Sequence, residues 1–210
     1  DYRSSRGLGD VYKRQPFGTG QEGGSWVVGI AVNGVTFAPS AAQYYQDDRE
    51  TGWEYDALSG SLLFGFDCNY GHVNPDGGYH YHGFPAGLMD GLKGDGSAMV
   101  FFGWAADGNP IYGRYGHEDA LDDSSDIVTL KPSFQLKTGE RPESDTDPGG
   151  EYDGTFVEDY EYVEGLGHLD ECNGRTGVTP EFGETYYYVI TDTWPYLPRC
   201  VVNQPNRSWF

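Results

Sequence analysis

The chain has 210 residues, with 33 acidic and 13 basic side chains and a formal charge of −20. That balance argues against nucleic acid as a partner, because binding to phosphates needs a basic surface, and no run of 18 apolar residues offers a transmembrane segment. Thirty-two glycines and 17 tyrosines, with few long periodic apolar runs, favour strands and turns over helix bundles. The expected fold is therefore mainly β: a single-domain antiparallel sandwich or barrel with long loops and little helix.

Residues 5–15, SRGLGDVYKRQ, match the forward translation of a transposase-type sequencing adaptor. Residues 1–15 are thus expected to be an assembly scar, unpacked and outside fold reasoning, with the β domain over 16–210. Residues 25–37, SWVVGIAVNGVTF, carry Asn33-Gly34 between apolar runs, a strong hairpin signal that pairs residues 26–32 with 35–37. Residues 41–56 are the best early helix candidate, and residues 60–66 read as a buried strand running into a histidine-rich stretch. After Pro85, residues 87–96 read as a polar loop and 99–104 as an apolar strand. Asp107-Gly108 then turns the chain into a second hairpin. Residues 127–136 suggest a strand that Pro132 makes an edge or breaks. Residues 138–150, TGERPESDTDPGG, have no apolar anchor and suggest a mobile surface loop. Residues 152–162 alternate in part like a strand, and 185–194, TYYYVITDTW, is the clearest strand of all.

The candidate chemistry centres on residues 68–85, CNYGHVNPDGGYHYHGFP, which hold three of the five histidines. On an extended strand His80 and His82 share one face, and Tyr79 and Tyr81 share the other. Pro75 and the glycines form a turn able to fold His72 back toward the histidine face. Paired imidazoles on a rigid strand suit a divalent transition metal, zinc or copper, or a proton-transfer site. Either Asp170 or Glu171, in the loop-like LDECNG, is the carboxylate best placed to complete a set with His72, His80 and His82. Two other readings stay open at this point. The histidines and tyrosines form a hydrogen-bonded aromatic layer, or Asp170 and Asn173 simply build a turn.

Cys172 and Cys200 flank a strand and are expected to pair, which would stabilise the fold by about 3–4 kcal/mol through loop closure. A disulfide points to an oxidising compartment, and Cys68 is left as a buried thiol or a further ligand. The acidic stretch at 119–126 and the Asp-Gly turns lack the spacing of a calcium hand and read as solvated surface. No G-x-S-x-G is present. The tyrosine and tryptophan content could line a carbohydrate groove, although ordinary sheet packing with aromatic cross-strand pairs is the preferred explanation.

Five blocks together resemble the YHYH-domain family: NGVTF at 33–37, HVNPDGGYHYHGFP at 72–85, GWAADGNPIYG at 103–113, YDGTFVEDYEYVEGLGHLDECNGR at 152–175 and YYYVITDTWPYLPRC at 186–200. The resemblance implies a secreted, periplasmic or other cell-envelope protein and no particular activity. Two functions are expected from different classes: a secreted metal-binding protein built on His80 and His82, or a non-catalytic module for a carbohydrate or cell-surface ligand in which the histidines are structural.

Overall fold

The computed structural model describes residues 15–16, 27–39 and 43–206. The adaptor-like residues 1–14, Trp26 of the first expected strand, and Ala41 and Ala42 of the expected helix lie outside them. Strands run in chain order as β1 (Gln15–Pro16), β2 (Gly29–Ala31), β3 (Thr36–Phe37), β4 (Gly71–Val73), β5 (Tyr79–Tyr81), β6 (Phe101–Ala105) and β7 (Pro110–Tyr112). They continue as β8 (Tyr115–His117), β9 (Ile127–Thr129), β10 (Phe134–Leu136), β11 (Tyr160–Tyr162), β12 (Gly174–Thr179), β13 (Gly183–Val189) and β14 (Cys200–Val201). The fold is mainly β with little helix, as expected.

Eight strands form one sheet in the order β12-β13-β7-β6-β2-β3-β5-β4, and the rest form three two-stranded ribbons. The main sheet is mixed and open, not purely antiparallel and not a closed barrel. The β3–β5 and β7–β13 pairs are parallel, and both need crossovers that a meander does not make. Both expected turns are present. Asn33 Oδ1 accepts from Val35 N at 3.2 Å in the β2–β3 hairpin, and Gly108 N donates to Ala105 O at 2.9 Å between β6 and β7.

Strand β13 shows why the sheet needs cover on both faces. Tyr188 and Ile190 enter one buried cluster with Phe37, Tyr81 and Phe102, while Tyr187 and Val189 enter a second with Tyr112 and Leu130. Residues two apart share a face, so an unbroken apolar run buries both sides. Cys172 and Cys200 form the expected disulfide inside the first cluster.

Four expectations change. Residues 41–56 hold two single-turn 3-10 helices, Tyr45–Asp47 and Arg49–Thr51, because Gly52 takes a left-handed φ of 72° that ends the second. Residues 60–66 pair with no strand. Gly60 and Gly65 have positive φ, Leu63 is exposed, and Phe64 and Phe66 are only half-buried. Residues 87–96 begin inside α1 (Ala86–Gly91), which Leu88 and Met89 tie into the core. The loop at 138–150 is anchored by a cation rather than by an apolar residue. Buried Arg141 donates to both carboxylate oxygens of Asp159, at 2.7 and 2.6 Å, and to Gly149 O at 3.1 Å, and it also pairs with Asp153.

Candidate metal centre

The motif strand β5 lies second from the sheet edge, between parallel β3 and the edge strand β4. Its two faces do different work. On the core side, Tyr81 is buried beside Phe37, with ring centroids 5.7 Å apart, and accepts a hydrogen bond from Asn33 Nδ2 at 3.0 Å. Tyr79 reaches across β4 and donates to Asp67 Oδ2 at 2.6 Å. Asp67 also accepts from the backbone N–H groups of Asn69 and Gly71, so it locks the turn leading into β4. Gly71 leaves room for this bond: a Cβ at this position would lie 2.2 Å from Tyr79 Oη and displace the tyrosine.

At the other end of the β4–β5 hairpin, Asn74 Oδ1 accepts from Asp76 N and Gly78 N, and Gly77 takes a φ of 85°. The two turns fix the register that sets His72 opposite His80. His82 follows in a bend just past β5, its N–H donating to Tyr70 O at 2.8 Å. Its ring returns to the side of His80.

The three rings meet as the sequence suggested. Centroids are 4.6 Å apart for His72 and His80, 4.8 Å for His80 and His82, and 5.1 Å for His72 and His82. One nitrogen from each lies within 4.8 Å of the others, the only such cluster of histidine, cysteine or acidic side chains among the described residues. His72 Nδ1 sits 3.2 Å from Phe64 O, and His80 Nδ1 sits 3.1 Å from Gly78 O. A carbonyl only accepts, so each Nδ1 carries the proton and each Nε2 a lone pair. His72 Nε2 faces His82 Nε2 at 3.2 Å. Two nitrogens on one tetrahedral zinc are about 3.3 Å apart, given Zn–N bonds of about 2.0–2.1 Å.

The site is covered on one side. Phe66 lies 4.9 Å from the His72 ring and 5.3 Å from the His82 ring, and Phe64 lies 5.1 Å from His72. His82 is 4% exposed, and its Nδ1 is enclosed without a hydrogen-bond partner. Burial, then the fields of His80 and His72, push His82 down to about 3. Burial and His80 lower His72 as well. Both shifts favour the neutral imidazole, the form of the ring that ligates a metal, at His72 and His82. His72 and His80 stay half-exposed, so the open side is theirs.

The carboxylates are not brought to this point. Asp170 Oδ1 accepts from Cys172 N at 2.9 Å and Gly174 N at 3.1 Å, and Tyr186 Oη donates to both carboxylate oxygens at 3.1 and 3.0 Å. That is the turn role, set by the left-handed Asn173 that follows. Glu171 is exposed on the same turn, and neither residue belongs to the histidine cluster. Cys68 is exposed rather than buried, and it too lies outside the cluster. His117 and His168 serve local structure: His117 Nδ1 lies 3.2 Å from Ser125 O, and His168 Nδ1 accepts from Lys131 N at 2.9 Å. Sequence reasoning missed the phenylalanines. Their signal was the i, i+2 spacing of Phe64 and Phe66 just ahead of the histidines, the spacing that places His80 and His82 together.

The family model described as YHYH protein matches residues 14–203, nearly the whole chain. The chain belongs to the YHYH family. The run that names the family is therefore the strand just described, with tyrosines as anchors and histidines as a cluster. No curated protein and no solved structure matches this YHYH chain.

Proposed function

We propose that this YHYH protein binds a divalent transition metal, zinc or copper, through Nε2 of His72, His80 and His82. The observation that carries the reading is the pair of backbone acceptors behind the rings. Phe64 O and Gly78 O hold the Nδ1 protons of His72 and His80. Metal-ligating histidines are oriented in this way, with the second nitrogen donating to a carbonyl or carboxylate. Asp170 and Glu171 are left out of the ligand set because neither belongs to the histidine cluster, and Asp170 has its own hydrogen-bond partners. The Cys172–Cys200 disulfide supports a secreted or envelope location. The working domain is 16–210; the family match over 14–203 and the pairing of Gln15 and Pro16 with β14 support a domain that begins close to that point.

Elemental analysis of protein produced under several metal supplies tests the reading. One zinc or copper per chain, lost in the His80→Ala, His82→Ala double variant, is expected. Sub-stoichiometric metal under every supply overturns it.

A second reading, a carbohydrate or cell-surface ligand, has one observation in its favour. Exposed Trp104 and Phe182 pack 4.9 Å apart beside Phe101, which also lines a groove of about 510 Å³ containing Lys93 and Glu181. Aromatic faces of this kind stack on sugar rings. A glycan array that reports binding lost in Trp104→Ala supports it, and a blank array removes it.

A further inference from the structure

We propose that the metal at this centre keeps a solvent-facing fourth position that takes a small monovalent anion, hydroxide in the resting protein. The inference rests on the metal reading above and adds the class of its exogenous ligand.

Three observations support it. First, the donor set is neutral: the cluster contains histidines and no carboxylate or thiolate. A divalent ion would keep its full charge in a partly dry site, where uncompensated charge is expensive. Second, the acid closest to the hairpin in sequence is already used. Asp67 is engaged by Tyr79 and two backbone N–H groups, and Asp170 stays on its own turn outside the cluster. Third, access is one-sided. Phe64 and Phe66 pack against the rings of His72 and His82, and His82 is buried, while His72 and His80 stay half-exposed. Three imidazoles plus one open position is the arrangement that binds water or substrate in catalytic zinc sites, whereas structural zinc is closed by four protein ligands.

Charge sets the size of the guest. A net −20 concentrates cations at the surface and repels polyanions. The ion itself dominates only at contact distance. The fourth position therefore favours hydroxide, azide or thiocyanate over phosphate esters or acidic polymers.

The test loads the whole protein with Co²⁺ in place of zinc and follows its visible absorption. A four-coordinate cobalt spectrum is expected, with bands that shift saturably as azide is added. Thiocyanate should compete with azide, and inorganic phosphate should leave the bands in place. The His80→Ala, His82→Ala variant should show neither the bands nor the shift. Stoichiometric cobalt with a spectrum that azide does not move overturns the open position and leaves the metal reading standing. No cobalt uptake, together with no zinc or copper by elemental analysis, overturns both.

Discussion

Replacing His82 by leucine separates a metal ligand from a structural core histidine, because the two roles predict opposite stability changes. His82 is almost fully buried, and its Nδ1 has no partner, a state that costs about 1–3 kcal/mol. Its only polar contact within the cluster is the 3.2 Å approach of Nε2 to His72, worth about 0.5–1.5 kcal/mol. Leucine has a similar volume and suits a pocket walled by Phe64 and Phe66. The metal-free variant should therefore be as stable as the parent or about 1 kcal/mol more stable, a rise of about 2–4 °C in Tm for a chain of this size. Zinc affinity should fall about 100-fold or more, beyond the range for losing only a supporting partner. Urea unfolding of the chelator-treated proteins, with zinc competition against a colorimetric chelator, reads both quantities. A metal-free variant destabilised by more than about 2 kcal/mol, as in cavity-forming substitutions, with zinc affinity intact, would refute the reasoning.

Removing the Asn74 side chain frees the turn that presents Gly78 O to His80, so Asn74→Ala should weaken zinc about 10–100-fold with little change in fold by circular dichroism. Gly71→Ala drives a Cβ into Tyr79 Oη and breaks its bond to Asp67; urea unfolding should show a loss of about 1–3 kcal/mol. Arg141→Ala leaves buried Asp159 without its cation and should cost about 3–5 kcal/mol by the same assay. Burial, then the positive charges of Arg175 and Lys131, lowers the pKa of His168, whose Nδ1 must stay unprotonated to accept from Lys131 N. The unfolded chain takes up that proton first. The contribution of His168 to stability is therefore complete above the ordinary histidine value of about 6.5 and is lost as pH falls below it. An NMR titration of His168 should place it below that value, and a pKa at or above it contradicts this account.

How much of this could be read from the residues depended on whether the signal was local. The alternation of Tyr79, His80 and Tyr81 gives both faces of β5 directly, because a strand's period of two leaves no choice, and His82, in the bend just after it, keeps to the histidine side. Asn33-Gly34 and Asp107-Gly108 mark their hairpins for an equally local reason. The parallel pairings of β3 with β5 and of β7 with β13 join segments far apart in sequence, so no local pattern announces them. Arg141 illustrates a second limit. A polar loop reads as free surface until the fold brings Asp159 to meet it. Asp170 illustrates a third. An acid within a turn motif can cap its own backbone or ligate at a distance, and only the placement of Tyr186 and the Gly174 N–H decides between them.

The central claim is that one metal sits on three imidazoles, each bound through Nε2. X-ray absorption at the zinc edge of the loaded protein reads this most directly. The account predicts the multiple-scattering pattern of three imidazoles with one further oxygen or nitrogen at about 2.0–2.1 Å. A sulfur shell at about 2.3 Å, fewer than three imidazoles, or failure of the protein to retain either zinc or copper would contradict it.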